Sequence, residues 1–210
     1  YGGHGIVGAQ VPIGVGLAFS HKYKNDGYVS MTYLGDGAVN QGQVYESFNM
    51  AALWKLPVVF IIENNKYGMG TSVTRASAGR SLAERGKAYG IPGIEVDGMN
   101  VFSVREAGKE ALDYSRNGKG PFILEMKTYR YRGHSMSDPA KYRARSEVDA
   151  VRQQKDCIEN LKEILQENKV TDDELKGFDT EIKSTVSKAA EFALESDLPD
   201  KSELITDIYL

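Results

Sequence analysis

Apolar positions follow two rhythms along this chain, one of helices and one of buried strands. Residues 8–24 are small and apolar enough for a tightly packed helix, in which Pro12 is tolerated only near the start. Asn25-Asp26-Gly27 reads as a turn. Residues 28–34 are strand formers halted by Gly35, and residues 41–56 return to helical spacing. Residues 57–62 form an unbroken apolar run, the mark of a strand buried on both faces of a parallel sheet. Strand, helix and strand in that order predict a right-handed crossover with parallel pairing.

The alternation continues with a helix expected around 81–89, a short strand at 94–96, a helix over 101–116 and a strand over 122–129. It predicts an α/β fold with a doubly wound parallel sheet. Residues 130–145 are polar and irregular, hold Gly133, Pro139 and four arginines, and read as a long functional loop. Two charged amphipathic helices follow, 147–168 and 172–195, expected to form a hairpin packed on the sheet domain or on a partner. The expected division is an α/β domain over 1–145 and a C-terminal helical extension over 146–210. The opening run Tyr1-Gly2-Gly3-His4-Gly5 reads as part of a longer polypeptide cut on its N-terminal side.

Composition narrows the ligands more than the fold. The 210 residues carry 26 Lys and Arg against 29 Asp and Glu, a net charge of -3 with no long basic block. Neither nucleic acid nor an anionic membrane is therefore an expected partner. No apolar run approaches the roughly 18 residues needed to span a bilayer. Cys157 stands alone, which excludes an intrachain disulfide and fits a reducing compartment. Small molecules and proteins are the expected ligands.

Candidate chemistry concentrates at two strand ends. Gly35-Asp36-Gly37 closes one expected strand and Asn64-Asn65 the next. Adjacent parallel strands set both motifs at the carboxyl edge of the sheet, where doubly wound folds bind ligands. Asp36, expected at a surface-facing strand end, offers a hard anionic oxygen and Asn65 a neutral one. Such donors suit Mg²⁺ that shares its shell with phosphate oxygens. The glycines beside Asp36 permit close approach of a diphosphate, and the next helix would turn its N-terminal N–H groups toward the anion. Singly, the motifs are an ordinary turn and loop. At the ends of consecutive strands, with one helix between them, they point to a metal-bound diphosphate.

These residues also carry a resemblance. Gly35-Asp36-Gly37 through Asn64-Asn65 is similar to the thiamine-diphosphate motif. Four further runs resemble the alpha subunits of thiamine-diphosphate-dependent 2-oxo acid dehydrogenases, those acting on pyruvate in particular. They are Ala38-Val39-Asn40-Gln41-Gly42-Gln43, Asn49-Met50-Ala51-Ala52-Leu53-Trp54-Lys55-Leu56-Pro57, Tyr67-Gly68-Met69-Gly70-Thr71-Ser72, and Tyr129-Arg130-Tyr131-Arg132-Gly133-His134-Ser135-Met136-Ser137-Asp138-Pro139. The likeness is close over 1–145 and looser in the helical tail. It implies a component that oxidatively decarboxylates pyruvate and passes an acetyl unit to the lipoyl domain of a transacetylase. It further implies a beta subunit, in a heterotetramer of two alpha and two beta chains, that supplies the glutamate activating the pyrimidine ring.

For this chain the resemblance implies Mg²⁺ held by Asp36, Asn65 and the backbone carbonyl of Tyr67. Thiamine diphosphate would lie at Gly37 and Ala38, with its aminopyrimidine ring against the backbone of Gly5 and Val7. His134 would stand at the substrate end of the cofactor, as a cofactor contact and proton-exchanging catalytic group. Branched-chain 2-oxo acid and acetoin dehydrogenase alpha subunits are the nearest alternatives. A catalytically inert subunit-interaction module is a reading of another class.

Other features read more simply. Gly3-His4-Gly5-Ile6-Val7-Gly8 satisfies the G-x-G-x-x-G dinucleotide pattern, but no expected strand leads into it, and Asp26 sits in a turn rather than at a strand end where it would reach a ribose. His21 is expected on a solvated helix face, and His4 has no assigned role. Tyr45, Phe48 and Trp54 read as core of the crossover helix. Arg130, Arg132, Arg143 and Arg145 either form a solvated face or organise the loop for an anionic partner. Ser72 and Ser135 match phosphorylation positions of mitochondrial relatives. Pro139-Ala140-Lys141-Tyr142 lacks the serine of another, so the bacterial cytoplasm is the expected location, with the mitochondrial matrix as the alternative.

Overall fold

The computed structural model describes residues 4–79 and 81–206, so Gly3 of the glycine-rich opening lies outside the described residues. The chain forms two compact units, Tyr1–Cys157 and Ile158–Leu210. The first holds strands β1 (Ser30–Gly35), β2 (Val58–Asn64), the two-residue strands β3 (Tyr67–Gly68) and β4 (Thr71–Ser72), β5 (Gly93–Asp97) and β6 (Phe122–Lys127). Its helices are α1 (Gln10–Lys24), α2 (Gly42–Leu53), the single turn α3 (Val73–Ala76), α4 (Val101–Arg116) and α5 (Arg145–Lys155), with a 3₁₀ stretch over Ala83–Tyr89. β1, β2, β6 and β5, in that spatial order, form one wholly parallel sheet, while β3 and β4 make a small antiparallel pair.

The doubly wound arrangement follows from side-chain alternation on the central strands. Val58, Phe60 and Ile62 of β2 point to one face, where Val11 and Val15 of α1, Val44, Phe48 and Ala51 of α2, and Ala83 of the 3₁₀ stretch close a core around them. Val59 and Ile61 point to the other face and meet Ala107 and Ala111 of α4 with Leu124 and Met126 of β6. The sheet is therefore covered on both sides, and its central strands are apolar on both. α4 starts at Asn100, whose side chain accepts the N–H groups of Phe102 and Ser103, and it buries the i, i+4, i+8 stripe Ala107, Ala111 and Ser115. In the second unit, α6 (Cys157–Glu167) and α7 (Asp172–Glu195) are separated by residues 168–171, and Thr171 with Glu174 forms a capping box. No helix among the described residues is long and apolar enough to cross a membrane.

Several boundaries and environments differ from expectation. The helix expected over 147–168 is two helices, because Asp156 takes an extended backbone (φ -66, ψ 117) that interrupts the run. The segment around 81–89 winds as a 3₁₀ helix rather than an α-helix. Trp54 is not core. It lies just past the end of α2, 41% exposed, with its ring against Phe19 of α1. Phe48 is fully buried and tilts on Phe60, as expected. His21 is not free in solvent, since it bonds the carboxylate of Asp26 at 2.9 Å and meets the edge of Tyr28.

Close approach of α1 to β1 depends on Gly14. A Cβ added there would lie 1.9 Å from Oγ1 of Thr32, a buried residue of β1, whereas one added at Gly16 would meet nothing within 4 Å. Gly14→Ala should therefore cost about 1–3 kcal/mol through overpacking. Gly16→Ala, two residues along the same helix, should be neutral or stabilise by about 0.4–1 kcal/mol. Urea denaturation of the two variants checks the contrast, and equal midpoints would contradict this account of the contact.

Candidate functional site

Parallel register places Gly35 opposite Glu63, so Asp36 and Asn64-Asn65 leave the sheet side by side. The chain then reverses through Lys66, held at φ 75, and β3 passes back across the end of β1. Gly68 meets Gly37 there: a Cβ added at Gly68 would lie 3.4 Å from the Cα of Gly37 and 3.7 Å from Oδ2 of Asp36. Two glycine motifs separated in sequence thus meet at one backbone contact.

Asp36 is 3% exposed, so the expectation of a surface-facing carboxylate is corrected: the residues after β2 fold over it. Burial pushes its carboxyl above the ordinary range. The N–H groups of Asp36 itself and of Asn65, and the charge of Arg130, pull the other way without cancelling the rise. Asn65 is half-buried, and its Oδ1 accepts the Tyr67 N–H at 3.3 Å. The carbonyl of Tyr67 accepts from Nη1 of Arg130 at 3.0 Å. A carboxylate, an amide oxygen and a backbone carbonyl therefore belong to one small region, with a cationic side chain already drawn to it.

That donor set fits Mg²⁺ and a diphosphate. Among the described residues no group of three or more His, Cys, Asp or Glu gathers as a metal cage. A cation at Asp36 would have to complete its shell from other oxygens, which phosphate groups provide. Gly37 is exposed and Ala38 buried beside it. The helix expected from residue 41 begins at Gly42, and residues 38–40 between it and Gly37 form a 3₁₀ turn.

The remaining expected residues stand apart from this group. Gly5 and Val7 lie in an exposed bend, where the carbonyl of Val7 accepts from Nε2 of Gln43 at 3.0 Å. His134 is exposed, and its ring has no hydrogen-bond partner among the described residues, although its N–H donates to Oδ2 of Asp138 at 2.7 Å. No hydrogen bond joins Gly5, Val7 or His134 to Asp36, Asn65 or Tyr67 among the described residues.

The loop over 130–145 is tied to the site by contacts that motif reading missed. Arg130 also donates to the carbonyl of Met69 and to the hydroxyl of Tyr142, which in turn donates to Asp138. Arg143 donates to the carbonyls of Arg130, Tyr131 and Arg132, while its guanidinium lies over the rings of Tyr67, Tyr129 and Tyr142 at 5.3–5.8 Å. The carboxylate of Glu147, on α5, accepts from the hydroxyls of both Tyr67 and Tyr129. Desolvation, reinforced by that carboxylate, pushes the Tyr129 phenol up to about 12, so it remains a donor at neutral pH. Of the four loop arginines, Arg130 and Arg143 organise the loop, whereas Arg132 and Arg145 are exposed. The one sequence sign of this arrangement was the density of Tyr and Arg itself.

The raised Asp36 carboxyl has a thermodynamic consequence. Its folded-state value lies above its unfolded one, so its contribution to stability is present below the unfolded value and is lost as pH rises through the folded value. At neutral pH without metal, the buried charge is a cost. Asp36→Asn should therefore raise the melting temperature of the metal-free protein at pH 7, by roughly 2–4 °C for each kcal/mol recovered. The gain should shrink as the pH falls into the carboxylate range. Thermal scans across pH measure this, and a variant less stable than its parent at pH 7 would show that the charge is compensated.

With the geometry in view, comparison with known proteins is direct. The family model described as Dehydrogenase E1 component matches residues 1–202. The chain is 59% identical to the pyruvate dehydrogenase E1 component subunit alpha of Rhizobium meliloti (strain 1021), over 100% of this chain and 61% of that protein. It is 58% identical to the protein of the same name from Zymomonas mobilis subsp. mobilis, over 99% and 59%. With the mitochondrial subunit of Dictyostelium discoideum the identity is 54%, over 100% and 56%. The chain thus spans less than two thirds of the length of these relatives. A match over nearly all its residues, with Asp36, Gly37, Asn65 and Tyr67 assembled at one edge of a parallel sheet, means that this chain belongs to the dehydrogenase E1 component family.

Proposed function

We propose that this chain is the cofactor-binding part of an alpha subunit of a pyruvate dehydrogenase E1 component, holding Mg²⁺ and thiamine diphosphate and working with a beta subunit. One observation carries the reading: the buried carboxylate of Asp36, only partly compensated by nearby N–H groups and Arg130, lies beside Asn65 and Tyr67 at the ends of paired strands, in a chain whose relatives bear that name. Relatives 54–59% identical over nearly the whole chain bear the pyruvate name, which favours this reading over a branched-chain 2-oxo acid or acetoin enzyme. An inert interaction module would have no use for a buried carboxylate whose desolvation outweighs the groups that favour its charge.

Each residue has a role in this reading. Asp36, the side-chain oxygen of Asn65 and the carbonyl of Tyr67 would ligate the metal, and Gly37 and Ala38 would admit the diphosphate without side-chain obstruction. Arg130 would release the Tyr67 carbonyl to the metal while keeping its bond to Met69. Bound thiamine diphosphate supplies the nucleophilic carbon and the electron sink that a 2-oxo acid needs in order to lose carbon dioxide. The backbone of Gly5 and Val7 would hold the aminopyrimidine end. His134, whose backbone N–H is bonded to Asp138, would exchange a proton as the acyl unit leaves for a lipoyl group. Exposed Arg132 and Arg145 offer positive charge to the carrier domain. The absence of a serine between Pro139 and Tyr142 fits an unregulated enzyme of the bacterial cytoplasm.

The test uses the full-length alpha chain produced together with its beta subunit. Reduction of an artificial electron acceptor should require pyruvate, Mg²⁺ and thiamine diphosphate together, with kcat/KM for pyruvate about tenfold or more above that for a branched 2-oxo acid. His134→Ala should lower acetyl transfer to a lipoyl domain by about 10²–10⁴-fold while leaving cofactor affinity unchanged. Preference for the branched substrate would overturn the assignment, and equal transfer by the variant would remove His134 from the mechanism.

A further inference from the structure

We infer that Glu125 is a positioning residue for the metal-binding turn: its carboxylate, acting through the side chain of Asn64, sets the backbone conformation in which Asn65 and Tyr67 present their oxygens. The inference rests on the proposed Mg²⁺ and thiamine-diphosphate site.

Glu125 sits in the middle of β6, opposite Ile62 of β2 and Glu95 of β5, and is 1% exposed. A carboxylate there is costly unless its lone pairs are filled. The two oxygens are used for different purposes. Oε2 accepts from the N–H groups of Leu82 and Ala83, at 2.7 and 2.9 Å, and from the hydroxyl of Ser81 at 3.2 Å, which caps the 3₁₀ stretch. Oε1 accepts from Nδ2 of Asn64 at 2.7 Å. Capping alone would need only the first oxygen. The second is committed to the turn that follows β2.

That commitment dictates the orientation of Asn64. An ionised carboxylate accepts and never donates, so Asn64 must turn its NH₂ group toward Glu125 and its Oδ1 away. On that side Oδ1 accepts the N–H of Lys66 at 3.1 Å. Lys66 is in the left-handed region, with φ 75, a conformation that a residue with a side chain adopts at a cost and holds only when its surroundings impose it. The bond from Val73 N–H to the Lys66 carbonyl, 3.0 Å, holds the other side of the same residue. Lys66 stands between Asn65 and Tyr67, so its dihedral angles decide where their oxygens point. Glu125 touches neither metal nor cofactor in this account. It acts by fixing which end of one amide faces the turn.

The prediction is therefore about polarity rather than bulk. Glu125→Gln keeps the shape and can still cap the 3₁₀ stretch with its carbonyl oxygen, but it sets an NH₂ group against the NH₂ group of Asn64. Asn64 should then reverse and oppose the Lys66 N–H with a donor. In the full-length alpha chain assembled with its beta subunit, Mn²⁺ bound in place of Mg²⁺ and followed by electron paramagnetic resonance should bind about 10–100-fold more weakly. Amide exchange at Lys66 and Tyr67 in the cofactor-free protein should accelerate. Adding Asn64→Asp to Glu125→Gln restores an acceptor on both sides of residue 64, and the double variant should regain most of both losses. Should Glu125→Gln fail to assemble, Asn64→Ala tests the same link with the cap intact, and it should likewise weaken Mn²⁺ binding and speed exchange. Unchanged exchange and Mn²⁺ affinity in Glu125→Gln, or in Asn64→Ala, would overturn the inference, as would a double variant no better than the single one. A parent protein that binds no Mn²⁺ would instead overturn the proposed function, and exchange at Lys66 and Tyr67 would still decide the role of Glu125.

Discussion

Parallel pairing of β1 with β2, in the register that sets Gly35 opposite Glu63, is the constraint from which the rest of the site follows. A slip of one residue would turn Val58, Phe60 and Ile62 away from α1 and α2 and exchange the two cores. It would also separate Asp36 from Asn65, because each motif takes its position from the last paired residue of its strand. Burial on both faces makes that slip expensive, so the apolar side chains far from the site hold its polar groups in place. The one-residue precision that a metal shell needs is thus inherited from hydrophobic packing.

On this frame the protein places charges where water is scarce and gives them unequal compensation. Glu125 is buried with four donors, a saturated arrangement. Asp36 is buried nearly as deeply, yet burial outweighs the groups that favour its charge. Arg143 is spread over three tyrosine rings and three carbonyls, and Glu147 receives two of the phenols. The carboxylate left wanting a cation is the one at the open edge of the sheet. Saturation elsewhere leaves the unmet demand at one place.

The fold was legible in the sequence to the extent that it rests on periodicity. The unbroken apolar run before Asn64, the helix over 101–116 and the strand beginning at Phe122 all appear where the pattern put them, because burial on two faces leaves a strong local signature. Asp36 and Asn65 could be named because short motifs at strand ends carry them, and Gly37 and Tyr67 through the resemblance of the runs that hold them. The burial of Asp36 could not, since its cover is a short hairpin that depends on positive φ at Lys66 and Met69 rather than on hydrophobic spacing. Trp54 was misread because helical periodicity does not say where a helix stops, and α2 ends one residue before it. Glu125 escaped notice for a related reason: within Phe122-Ile123-Leu124-Glu125-Met126 it looks like a charge on an otherwise apolar strand, and its partners come from 43 and 61 residues away.

The hub at Arg143 has a consequence for the loop it holds. Its guanidinium bonds three consecutive carbonyls and covers rings from three separate places in the chain, so many of the segment's contacts converge on one side chain. Losing that single side chain would leave the carbonyls of Arg130, Tyr131 and Arg132 without their donor at once and uncover the phenols that reach Glu147, while the side chain of Arg130 kept its own bonds to Tyr67, Met69 and Tyr142. One side chain therefore couples the backbone of residues 130–132 to the aromatic cluster around Glu147, so a change at Arg143 is felt at both places together.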